Sequence, residues 1–145
     1  ILWQCGTRFY DSLIKEVPIK NFENLRLVSF LDNMPFAYGI SDLVISRAGA
    51  SSCAELLVTG KPSILVPSPY VAGDHQTYNA MTLVNEGAAL MVADNAVNEK
   101  LMSNIMQLVQ DKQLTDSIQN KIKHFAMLHA DTMIAASIIK NVQEN

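Results

Sequence analysis

The chain has 145 residues, 49% of them hydrophobic and 17% charged, with eleven Lys and Arg against fourteen Asp and Glu for a formal net charge of -3. That composition excludes a disordered tract and suits one globular domain, residues 1–145, burying roughly two thirds of the surface its unfolded form exposes. Its longest apolar run, Ala88 to Ala93, falls far short of the ~18 to 20 residues that span a bilayer, and its scattered basic residues form no nucleic-acid footprint. Cys5 and Cys53 lie far apart without CxxC spacing, which suggests neither a disulfide scaffold nor a zinc site and fits a reducing cytoplasm. The opening Ile1-Leu2, with no signal-peptide core behind it, reads as an internal start just ahead of a strand.

In chain order, short apolar runs alternate with helical patterns. A strand is expected at 1–4, a helix at 8–16, strands at 25–30 and 43–46, a helix at 52–59, a strand at 63–66, a helix at 75–86 and a strand at 88–92. Gly60 and Gly87 stand where helices stop. Brief, continuously apolar strands separated by helices predict an α/β fold, a Rossmann-like parallel sheet with helices on both faces. Beyond Asn95 the period turns wholly helical: Leu101, Ile105 and Leu108 share one face, Ile118, Ile122 and Phe125 the next, and Ile134, Ile138 and Val142 a third. Asp131 is the expected N-cap of the last helix.

Ligands of open parallel sheets bind beyond the carboxyl ends of the strands, which directs attention to three loops. The first is Phe30-Leu31-Asp32-Asn33-Met34-Pro35, the second Ser46-Arg47-Ala48-Gly49-Ala50-Ser51-Ser52, and the third the proline-rich stretch from Pro67 to Gln76. In the second, small residues around one glycine at a helix start let main-chain N–H groups approach an anion, as a diphosphate would require, although a tight strand-to-helix turn reads the same way. Ser52-Cys53-Ala54-Glu55 fits a capping box, in which Glu55 would return to the Ser52 amide; it equally fits a carboxylate accepting two ribose hydroxyls. Asp74-His75-Gln76 invites an acid/base or sugar-binding role, against a plain cap by Asp74 of the helix from His75; Gln76 and Asn79 share a face of that helix. His124 and His129, about 140° apart on a helix, form no metal pair, and no carboxylate dyad, Gly-x-Ser-x-Gly element or metal cluster is anchored by spacing.

Taken together and in this order, Phe30-Leu31-Asp32-Asn33-Met34, Asp42-Leu43-Val44-Ile45-Ser46-Arg47-Ala48-Gly49-Ala50, Asp74-His75-Gln76 and Asn79-Ala80 resemble the C-terminal, donor-binding domain of the MurG family. These are UDP-N-acetylglucosamine:undecaprenyl-pyrophosphoryl-MurNAc-pentapeptide N-acetylglucosaminyltransferases of GT-B architecture, which convert lipid I to lipid II in peptidoglycan synthesis. The resemblance runs from about Leu2 through the final helices. It implies that the Leu31 backbone reads uracil with Phe30 and Met34 near the base, that Glu55 holds the ribose, and that Gly49, Ala50, Ser51 and Ser52 present a helix N-terminus to the diphosphate. It further implies that His75 and Gln76 contact the N-acetylglucosamine hydroxyls, with Asn79 and Asp74 in support. No cofactor and no metal are implied in this half.

The sequence departs from the family at its start, where a strand and a Gly-Gly-Ser type loop are absent ahead of Ile1. The expectation is an N-terminally truncated half with exposed strand edges, inactive alone, whose lipid I acceptor and inner-membrane surface are reached through a missing N-terminal domain. The whole enzyme would sit on the cytoplasmic face of the bacterial inner membrane. The competing readings are a UDP-GlcNAc-binding subunit that docks on a separate membrane acceptor subunit, and another GT-B UDP-sugar enzyme such as a glycolipid synthase or an epimerase.

Overall fold

In the computed structural model, which describes residues 1–143, every strand pair is parallel, as continuously apolar strands joined through helices require. The chain divides into two units, Ile1–Ile40 and Ser41–Asn145.

The first unit opens with β1 (Leu2–Gln4), crosses through α1 (Thr7–Glu16) and pairs β1 with β2 (Arg26–Val28), Leu2 facing Arg26 and Gln4 facing Val28. The expected strand at 25–30 shortens to three residues because β1 offers only three partners; the Cys5 amide closes the ladder on the Val28 carbonyl at 3.1 Å. A further helix, α2 (Met34–Ile40), begins where the sequence reading left only a loop. Asn33 starts it: its side-chain oxygen accepts from the Phe36 amide at 3.0 Å and its carbonyl from the Ala37 amide at 3.2 Å. An Asn directly before Met-Pro was the available signal, since proline is tolerated in a first helical turn.

The second unit is a three-stranded ladder in the order β3 (Val44–Ser46), β4 (Ser63–Leu65), β5 (Leu90–Met91). Its middle strand is sealed, Ile64 and Leu65 both at 0% exposure, while Ile45 on edge strand β3 remains half open. Between the strands run α3 (Ala50–Thr59) and α4 (His75–Asn85), which pack on each other. Gly60 ends α3 in the left-handed region at φ 66°, its amide returning to the Leu56 carbonyl at 3.0 Å, a conformation glycine adopts without steric cost.

The helical C-terminus is present as α5 (Val97–Gln110), α6 (Lys112–Lys123) and α7 (Ala130–Gln143). Of the three expected faces, Leu108, Ile118 and Ile122 are buried, with α6 packed on α3 and α5. The third behaves differently: α7 buries none of its residues, and Ile134, Ile138 and Val142 are all exposed. Asp131 is not the N-cap of α7 but lies inside its first turn, because the helix begins one residue earlier at Ala130, with the Met133 amide on the His129 carbonyl. An acidic side chain there still complements the helix dipole. Asp111 does cap: its carboxylate accepts from the Leu114 amide at 2.9 Å and starts α6.

Leu56 is 1% exposed at the centre of this core, so Leu56→Ala should cost about 2 to 5 kcal/mol through lost transfer energy and the cavity left behind. Urea unfolding with an unchanged m-value checks this.

Candidate functional site

The second unit assembles its candidate residues at the carboxyl ends of β3 and β4. After Ser46 the chain leaves the ladder through Arg47, buries Ala48 completely and turns at Gly49 into α3. Gly49 is the N-cap, with extended backbone (φ -64°, ψ 150°) and no side-chain cap. Its carbonyl receives the first intrahelical bond, from the Cys53 amide at 2.9 Å, so the amides of Ala50, Ser51 and Ser52 precede the helical ladder. Main-chain donors and the positive end of the dipole therefore meet at one point. Any residue could adopt this backbone, and a Cβ at Gly49 would meet only Ser52 Oγ, at an ordinary 3.8 Å. The glycine is thus not demanded from within the chain; what it does is keep the front of the helix end clear.

This geometry removes the capping-box reading of Ser52 and Glu55. Ser52 is the third residue of α3 rather than its cap, because the helix starts at Ala50. Glu55 lies at the sixth position on the exposed surface, one turn beyond Ser51 on the same face, while Cys53 and Leu56 point inward. Burial pushes the Cys53 thiol up from its ordinary pKa, so this cysteine is a packing residue with little thiolate at neutral pH.

The third loop rises from β4 through Pro67, Ser68 and Pro69 and passes a one-turn 3-10 helix at Ala72–Asp74 before α4. Gly73 and Asp74 are both left-handed, at φ 63° and 52°; Asp is among the few residues that tolerate this. Asp74 occupies the N-cap position of α4, but its carboxylate takes the Thr77 hydroxyl at 2.6 Å rather than a main-chain amide, so a plain cap does not describe it. His75 is exposed, its ring lying against the space a side chain at Gly73 would fill.

Gln76 and Asn79 are both held by the main chain. Gln76 Oε1 accepts from the Ser68 amide at 2.8 Å, which fixes the side-chain amide with its NH2 as the end available to donate. Asn79 Nδ2 donates to the Ala48 carbonyl at 3.0 Å, tying α4 to the loop that carries Gly49. Asn79 thus shapes the α3 entrance through Ala48. A depression of about 380 Å3 opens beside this cluster, lined by Pro67, Tyr70, Asp74 and Thr77 on one side and Met91 and Asp94 on the other. It lies on the β5 side of the third loop and includes neither Glu55 nor Gln76.

In the first unit, Phe30 is exposed, Leu31 and Met34 are half-buried, and Asp32 and Asn33 lead into α2. Met34 is the first residue of that helix rather than part of a loop. The main residue that sequence reading missed is Arg47: its guanidinium reaches the Val66 and Pro67 carbonyls, each at 3.3 Å, and pairs with the Asp94 carboxylate. Nothing in the sequence joins positions 47 and 94; only the β3-β4-β5 order does.

Parallel strands with a helix N-terminus and a polar loop at their carboxyl ends make a Rossmann-like α/β unit, the architecture of the C-terminal half of GT-B glycosyltransferases. The chain belongs to the glycosyltransferase family 28 C-terminal domain family, whose model matches residues 1–133. It is 38% identical over 143 residues to a Flavobacterium psychrophilum protein named UDP-N-acetylglucosamine--N-acetylmuramyl-(pentapeptide) pyrophosphoryl-undecaprenol N-acetylglucosamine transferase, covering 99% of this chain and 38% of that one. A protein of the same name from Salinibacter ruber is 42% identical over 109 residues, 75% of this chain and 29% of the relative. The crystal structure of Acinetobacter baumannii MurG superposes with a TM-score of 0.82 at 26% identity, over 97% of this chain and 42% of that one. A kitacinnamycin glycotransferase shares the fold, at a TM-score of 0.70 and 19% identity. The resemblance read from the three loops therefore holds, and the chain spans roughly two fifths of the length of the curated relatives it matches.

Asn79→Asp should destabilise the second unit more than Asn79→Ala, because the aspartate oxygen would face the Ala48 carbonyl where a donor is needed; the alanine variant should lose about 1 kcal/mol. Denaturant melts of the two variants side by side check the order.

Proposed function

We propose that this chain is the donor-binding part of an inverting N-acetylglucosaminyltransferase, which moves GlcNAc from UDP-GlcNAc to undecaprenyl-pyrophosphoryl-MurNAc-pentapeptide in peptidoglycan synthesis. The observation that carries the reading is the start of α3, where a glycine N-cap and three amides outside the helical ladder meet the positive end of a ten-residue helix. The names of the relatives, matched over 99% of this chain and 38% of the first of them, point the same way.

In this reading the amides of Ala50, Ser51 and Ser52 take the diphosphate, with Gly49 leaving room for its approach. Glu55 accepts both ribose hydroxyls as a charged acceptor one turn further along α3. The Leu31 main chain reads the uracil edge, with Phe30 and Met34 beside the base. Gln76 donates its NH2 to a GlcNAc hydroxyl while Ser68 holds its other end, and His75 adds a second polar contact. Asn79 acts through the Ala48 carbonyl.

Transfer would begin with attack of the MurNAc C4 hydroxyl on the anomeric carbon, inverting it as UDP departs. Charge accumulates on the diphosphate as the glycosidic bond breaks, so donors already aimed at it stabilise the transition state more than the ground state. Holding uridine and sugar at separate points fixes the anomeric carbon for attack. The acceptor site, the general base and the docking face toward the inner leaflet of the membrane belong to the remainder of the polypeptide. The whole enzyme would work at the cytoplasmic face. Among the described residues no helix is long and apolar enough to cross a membrane.

Titration of the intact polypeptide with UDP-GlcNAc, UDP-glucose, UDP and GDP tests the reading; UDP-GlcNAc should bind tightest, and indifference between uridine and guanosine would remove Leu31 as base reader. Glu55→Ala should weaken UDP binding by about 1 to 3 kcal/mol, since the ribose hydroxyls lose a charged acceptor; unchanged affinity would take Glu55 out of the ribose site. Gln76→Ala should weaken UDP-GlcNAc more than UDP, and equal losses would take Gln76 out of the sugar site.

A further inference from the structure

Beyond the last backbone bonds of the sheet, one side chain carries the connection between strand ends. The Val66 amide bonds the Ser46 carbonyl at 2.8 Å and the Val92 amide bonds the Leu65 carbonyl at 2.9 Å, after which the three strands diverge into their loops. Arg47 stands at that divergence. Its Nη1 donates to the Val66 and Pro67 carbonyls, each at 3.3 Å, and to the Asp94 carboxylate in the 3-10 turn that follows β5. One guanidinium thus joins the exits of β3, β4 and β5.

The neighbouring tethers show what this connection serves. Immediately after Arg47 comes Ala48, whose carbonyl is gripped from α4 by Asn79. Immediately after Pro67 comes Ser68, whose amide orients Gln76. The loop in front of α3 and the loop in front of α4 are therefore pinned close to the two residues that Arg47 itself connects. The pair is not a stability device, since the Arg47 side chain is 53% exposed and exposed ion pairs contribute little. What Asp94 supplies is direction: it draws the guanidinium across the end of β4, where Nη1 meets the Val66 and Pro67 carbonyls.

We propose that Arg47 and Asp94 form a latch that keeps the α3 loop and the α4 loop in register, making Asp94 a positioning residue for sugar-nucleotide binding although it need not touch the ligand. The inference rests on the donor-binding reading above, in which the diphosphate sits on the first loop and the sugar on the second. A ligand that engages both loops needs their register. UDP, which lacks the sugar, does not need the second loop.

The test uses the intact polypeptide that carries this chain, with Asp94→Ala, Asp94→Glu and Arg47→Ala. In Asp94→Ala, UDP-GlcNAc should bind about fivefold to tenfold more weakly, the scale of one ordinary hydrogen bond, while UDP changes by less than about twofold. Asp94→Glu should recover part of that loss, and Arg47→Ala, which removes the donor, should reproduce it. Equal weakening of both ligands, or no weakening of either, overturns the positioning role. Amide hydrogen exchange without ligand separates this idea from the donor reading itself: Asp94→Ala should speed exchange at the bonded amides of the two loops, Cys53 on Gly49 and Ser68 on Gln76, while α6 keeps its protection. Unchanged exchange in both loops overturns the latch, whether or not nucleotide binds. A wild-type protein that binds no uridine nucleotide overturns the donor reading, and with it the positioning role, while the exchange result still decides the latch.

Discussion

The second unit depends on the complete burial of β4. A strand sealed on both faces and paired on both edges can exchange hydrogen bonds only with β3 and β5, and so fixes where both of its neighbours end. Because the pairing is parallel, all three carboxyl ends emerge on one side, and their loops are brought together although they lie 20 to 30 residues apart in sequence. Ser63, the one buried polar residue among the described residues, sits at the start of this strand, where the ladder takes up its main-chain groups.

From that geometry follows a division of labour among polar side chains. Gln76, Asn79 and Arg47 each spend at least part of their hydrogen-bonding capacity on main-chain groups of the loops rather than presenting all of it to solvent. Such bonds orient the side chain or shape the loop in advance, which lowers the ordering cost a ligand would otherwise meet. Glu55 is placed differently, on a regular helix whose backbone sets its direction, so that rigidity comes from α3 itself. In the proposed reading, a loop of small residues, a rigid helix and a tethered polar segment would hold one extended ligand between them.

The apolar surface of α7 belongs to another part of the story. Its Ile134, Ile138 and Val142 repeat with the helical period that sequence analysis picked out, yet none is buried among the described residues. Periodicity reports that a face is apolar; it does not report what lies against that face. The same holds for Asp131, where the sequence signalled a cap and the hydrogen bonds placed the helix start ahead of it, at Ala130.

By itself the sequence determined the alternation of strands and helices, the parallel pairing, the glycine stop at Gly60 and the three loops in which chemistry could sit. These are set by local period and by the conformations glycine permits, so they can be read from neighbours in the chain. The family was legible as well, through the Arg-Ala-Gly-Ala and Asp-His-Gln elements. α2 was missed because it is short, running only from Met34 to Ile40, with Asn33 alone to mark its start. Only the tertiary structure decided that Ser52 is not a cap, that Asp74 bonds Thr77, that Asn79 grips Ala48 and that Arg47 meets Asp94. Helix starts turn on a single backbone dihedral, and partners 31 or 47 residues apart meet only after the strands have paired.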